Sequence, residues 1–101
     1  MSLGLKKEDL DYLIKTLESF PEIDKAIIFG SRAKGTCKIG SDVDIAIVGD
    51  RISFTAVAKL HHLLENESPL PYFFDIVDYT HLEHIELKEH IDRVGKLIYQ
   101  R

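Results

Sequence analysis

The chain has 101 residues, 45% hydrophobic and 30% charged, with six glycines and three prolines, which suits one globular domain over 1–101 and excludes a disordered tract. A net charge of −4 excludes a general nucleic-acid binder, because phosphate-backbone affinity needs clustered Lys and Arg. No apolar stretch approaches a membrane span, no basic-then-apolar leader opens the sequence, and one cysteine leaves no internal disulfide, so the expectation is a cytoplasmic protein without membrane contact.

Leu10, Leu13, Ile14, Leu17 and Phe20 recur at helical spacing and predict a helix from about Lys6 to Ser19, stopped by Pro21. Met1 to Leu3 are given no role. Lys25 to Phe29 is a short apolar run ended by Gly30 and predicts a buried strand. Asp42 to Val48 alternates, with Val43, Ile45 and Ile47 on one face and Asp42, Asp44, Ala46 and Val48 on the other. Ser53 is placed to cap a helix carrying Val57, Leu60 and Leu64 and ending near Asn66. Tyr72 to Val77 predicts a third strand. Thr80-His81-Leu82-Glu83 has the capping-box pattern of a last helix with Leu87, Ile91 and Val94 on one face. Gly95 marks its end, and Lys96 to Tyr99 is left as a short edge strand. The fold class is α+β, close to α/β: a small mixed sheet of three to four strands flanked by about three helices.

Charge is uneven along this chain. Lys25, Arg32, Lys34 and Lys38 fall in a stretch, 25–41, that holds no acid, leaving the rest of the chain strongly acidic. A local positive segment in an acidic protein suits a small anion better than a polymer. Within it lies Gly30-Ser31-Arg32-Ala33-Lys34-Gly35, directly after a strand. Gly30 permits close backbone approach and positive φ, the amides that follow can form an anion nest, and Ser31 and Arg32 can donate to phosphate. By itself such a turn is more often only a turn.

Asp42 and Asp44 stand at i and i+2 on a strand, so both carboxylates leave one face about 6.5 Å apart. They repel one another unless a cation lies between them, and hard Mg²⁺ suits such a pair. The competing reading is a solvated strand face. Asp75 lies in the apolar run 72–77, where an ionised carboxylate is costly unless paired or bound to metal; a solvent-facing edge strand is the competing reading. Asp78 is the rival third carboxylate, but it falls at the strand end and on the opposite face.

Gly30-Ser31, ten intervening residues, then Asp42-Val43-Asp44 resembles the signature of the polymerase-β-like nucleotidyltransferase superfamily. The fuller pattern, with Gly40-Ser41 before Asp42 and Ile45 after Asp44, is similar to the minimal nucleotidyltransferases, the MNT branch. The departures are mild: Ile45 stands where Leu is commoner, and 36–39 is not distinctive. The resemblance implies a nucleotidyltransferase fold with Asp42, Asp44 and Asp75 as catalytic and metal-binding residues for one or two Mg²⁺. It also implies that Gly30, Ser31, Arg32 and Ser41 bind the nucleotide, ATP or another nucleoside triphosphate. The reaction it implies is transfer of a nucleoside monophosphate, AMP for choice, to an acceptor hydroxyl. The acceptor it implies is a helical HEPN-type partner, in an antitoxin-like role. Transfer to a small antibiotic-type molecule and non-catalytic nucleotide binding are the alternatives.

The remaining chemistry is weaker. Cys37 has no base beside it in the sequence, and the five histidines form no zinc pattern. Glu65, Glu67, Glu83, Glu86 and Glu89 read as a solvated face.

Overall fold

The four strands lie side by side in the order β3-β2-β1-β4. They are β1 (Lys25–Phe29), β2 (Val43–Val48), β3 (Phe74–Asp78) and β4 (Lys96–Gln100), interleaved with helices α1 (Lys7–Glu18), α2 (Ser31–Lys34), α3 (Phe54–Asn66) and α4 (Ile85–Val94). A computed structural model describes residues 3–34 and 42–101. β1 pairs antiparallel with β2 and with β4, while β2 pairs parallel with β3. The sheet is therefore mixed, and the fourth helix is the single turn α2, which apolar periodicity does not register.

One face of the sheet packs on α1 and α3. Leu13, Leu17, Ile28, Val43, Ile45, Ile47, Leu60 and Leu64 are fully buried there, and truncating any of the leucines to Ala costs about 2–5 kcal/mol. The opposite face is covered by α4, where Ile91 packs with Phe29 and Ala46, and Leu87 and Val94 flank them. β2 thus carries Ala46, fully buried, on the same face as Asp44. The alternation expected of β2 sorts side chains between two covered faces, with Asp44 at the open end of one.

Local chemistry explains where the elements begin and stop. Ser53 caps α3 by accepting from the Ala56 N–H at 3.2 Å. The expected capping box at Thr80 is not formed. The Thr80 hydroxyl instead accepts from the Gly49 N–H at 2.8 Å, and the Leu82 N–H bonds back to Tyr79. α4 therefore starts a turn later, with His84 Nδ1 accepting from the Leu87 N–H at 3.0 Å. Gly95 does end α4, at a φ of −64°; a Cβ there would run into the Ile91 carbonyl and Ile27, so close packing rather than a left-handed cap selects glycine.

Two sequence expectations need correcting. Leu3, given no role, is 6% exposed and belongs to the main core. Glu65 is not part of a solvated face. Its carboxylate accepts from the Phe74 N–H at 2.7 Å and pairs with His61 at 2.9 Å, which ties α3 to the first residue of β3.

Candidate active site

The site is assembled at the end of the sheet where β1 finishes and β2 and β3 begin. Asp44 lies directly across from Asp75 in the parallel β2–β3 pair, and across from Phe29 in the antiparallel β1–β2 pair. In-register neighbours share a face and stand about 4.8 Å apart between strands, so the Asp44 and Asp75 carboxylates adjoin. Asp42 precedes β2 and is exposed.

Electrostatics record this crowding. The Asp44 carboxyl is raised above the usual carboxylate range, first by burial and then by the negative charges of Asp75 and Asp42, while Arg32 opposes the rise. Asp75 is exposed, against the expectation that its apolar neighbours would bury it. β3 is an edge strand, and the pleat turns Phe74 into the core and Asp75 outward. Asp78 stands at the far end of β3, across from Ile47, where it accepts from His81 Nδ1 at 2.7 Å.

Gly30 closes the other side. Its φ is +75°, and a Cβ at this position would overlap Oδ2 of Asp44. Both the backbone conformation and the close approach demand glycine. The one-turn α2 follows, with Ser31 partly buried at its start and the Lys34 N–H bonded to the Gly30 carbonyl.

Arg32 does not project from this turn into solvent. It is 3% exposed, with Nη1 donating to the carbonyls of Gly4 at 2.9 Å and Leu3 at 3.3 Å. Ser41 and Cys37 lie outside the described residues. Phe73, read from sequence as strand interior, is 72% exposed; its carbonyl accepts from the Val43 N–H, which puts the ring beside the carboxylate end. The signal that could have found it is period-two alternation from the buried Phe74.

Among the described residues no three His, Cys, Asp or Glu side chains form a metal cage. Two adjoining carboxylates instead suit Mg²⁺, which takes one or two such ligands and completes its shell with phosphate and water. The like charges that help to raise the Asp44 carboxyl would be relieved by a cation there. A hollow of about 500 Å³ lined by Phe54, Val57, Val77, Asp78, His81, Leu82 and Glu83 lies at the opposite end of the sheet. Its two acids, Asp78 and Glu83, suit a triphosphate less well than the glycine turn does. No helix among the described residues is long and apolar enough to cross a membrane.

A small mixed sheet with a glycine turn against paired carboxylates at its strand ends defines a nucleotidyltransferase. The family model of polymerase beta nucleotidyltransferases matches residues 11–101, and the chain belongs to that family. It is 33% identical over 79 residues to a probable protein adenylyltransferase, MntA, of Haemophilus influenzae, covering 77% of this chain and 68% of that one. It is also similar to a crystal structure of a toxin–antitoxin with AMP-PNP, at a TM-score of 0.78 and 25% identity, over 92% of this chain and 74% of the other. A third likeness, at 21% identity and a TM-score of 0.74 over 96% of this chain and 74% of the other, is to a structure of a tri-AMPylated Shewanella oneidensis HEPN toxin in complex with MNT antitoxin; it speaks for the fold.

Proposed function

We propose that this chain transfers AMP from ATP to a hydroxyl of a helical HEPN-type partner protein, in the manner of an antitoxin. The observation that carries the reading is the register of Asp44 against Asp75 beside a glycine turn that only a bare backbone can make. The MntA relative, whose name is that of a protein adenylyltransferase, and the AMP-PNP-bound toxin–antitoxin support the nucleotide and the acceptor class.

Gly30 and Ser31 would receive the β- and γ-phosphates on backbone amides and a hydroxyl, and Ser41 is a further nucleotide-binding residue by the sequence resemblance. Asp42 and Asp44, with Asp75, would hold Mg²⁺, which when bound neutralises phosphate charge. Asp75, open to solvent, takes the proton of the acceptor hydroxyl. The acceptor oxygen then bonds to the α-phosphorus in line with the bond that breaks, and pyrophosphate leaves. The acceptor hydroxyl must be held in line with the α-phosphorus, and the partner that carries it supplies that orientation. ATP as substrate and a lone cysteine fit a cytoplasmic setting.

The test is to incubate the protein with ATP and Mg²⁺, with and without a HEPN-type helical protein, and to weigh both chains by intact-mass spectrometry. An AMP adduct on the partner that requires Mg²⁺ and is absent with Asp44→Asn is expected. Rapid adenylylation of a small hydroxylated molecule by the chain without a partner would favour the antibiotic-type alternative instead.

A further inference from the structure

A helix of one turn has almost no cooperativity of its own, so the placement of α2 depends on what lies beneath it, and that is Arg32. Its guanidinium donates inward to the Leu3 and Gly4 carbonyls, and it lies 5.0 Å from the centre of the Tyr72 ring. The segment at residues 3 and 4 is itself held: Leu3 is in the core, and Gly4 bends the backbone at a φ of +71°. Tyr72 is held from the other side, its hydroxyl donating to Asp9 on α1 at 2.7 Å. Tyr72 also leads directly into Phe73 and β3. One buried cation thus joins the N-terminal strap, α1, the glycine turn and the lead-in to the strand carrying Asp75.

We propose that Arg32 is a positioning residue: it clamps the Gly30–Lys34 turn to the N-terminal strap and to the Tyr72 ring, and so sets the phosphate-facing amides without touching the nucleotide. An arginine that meets phosphate needs its donors at the surface; Arg32 is 3% exposed, and its Nη1 points at backbone carbonyls inside the fold. The inference rests on the nucleotide-binding reading of the turn, but its test separates the two.

The full chain and the variants Arg32→Lys, Tyr72→Leu, Tyr72→Phe and the Arg32→Lys/Tyr72→Leu pair are compared at a temperature where circular dichroism shows each folded. ATP–Mg²⁺ affinity is measured by calorimetry, and hydrogen exchange is followed at the amides of residues 31–34. Arg32→Lys and Tyr72→Leu should each weaken affinity about tenfold and speed exchange in the turn, with a combined effect well short of the product, as for residues acting through one contact. Tyr72→Phe, which keeps the ring against the guanidinium but loses the Asp9 bond, should fall between the parent and Tyr72→Leu. Loss of affinity in Arg32→Lys alone, with Tyr72→Leu binding normally and exchange unchanged, would make Arg32 a direct ligand and overturn the proposal. Should Arg32→Lys not fold, the contrast between Tyr72→Leu and Tyr72→Phe decides. A parent protein that binds no ATP counts against the proposed function; exchange in the turn then judges the clamp alone, faster supporting it and unchanged overturning it.

Discussion

The two ends of the sheet solve the same problem, polar groups at the termini of buried strands, in opposite ways. At the far end three polar side chains have complementary partners. Asp78 accepts from His81, Thr80 accepts from the Gly49 N–H, and Ser53 accepts from Ala56. At the near end Asp44 is partly buried and is also set against the like charges of Asp75 and Asp42, with Arg32 opposing them. Asp75 and Asp78 are three residues apart on one strand, yet one meets a carboxylate and the other a histidine. An arrangement that costs stability fits the end proposed for the ligand, whereas these polar groups of the far end are paired within the fold.

Asp44→Asn should break that contrast most sharply. Nucleotidyl transfer should fall by about a hundredfold or more, as expected for loss of a group that holds charge in the transition state, measured by adduct formation on the partner. The ligand-free variant should nevertheless melt higher than the parent at neutral pH, because a repelled, partly buried charge is gone. The sign follows from the raised carboxyl. Stability contributed by its protonated form is fully present at low pH and is lost as pH rises through the raised value. The ligand-free parent should therefore gain stability relative to Asp44→Asn as pH falls from neutral into and below that range. Parallel melting curves across pH would remove the like-charge account.

Gly30→Ala is a milder assault on the same end. A methyl group at positive φ costs roughly 1–2 kcal/mol by backbone strain alone, and here it also displaces the Asp44 carboxylate. Thermal melts should show the loss, and ATP–Mg²⁺ affinity should drop with it. Unchanged affinity would release the turn from its phosphate role.

Thr80→Ala probes the far end. Leaving the Gly49 N–H without its acceptor should cost about 1–3 kcal/mol in denaturant unfolding, with ATP affinity unaltered. A coupled loss of affinity would mean that the two ends are not independent.

Much of this protein could be read along the chain, because its elements announce themselves locally. β1 carries an unbroken apolar run, β2 alternates with period two, α3 has a capping serine, and α1 and α4 repeat their apolar residues at helical spacing. The Gly30-Ser31 turn and the Asp42–Asp44 pair are legible for the same reason: their meaning lies in neighbours one to twelve residues apart. What the tertiary structure alone decided depends on groups distant in sequence. The parallel pairing of β2 with β3 set Asp75 directly across from Asp44. The engagement of Thr80 by Gly49 moved the start of α4 to His84. The burial of Leu3 and the inward turn of Arg32 set the Arg32 guanidinium against the Leu3 and Gly4 carbonyls, which the local sequence does not show. Periodicity and capping act within a few residues, whereas the choice of partner for a charged or hydrogen-bonding group is made only when the chain closes on itself.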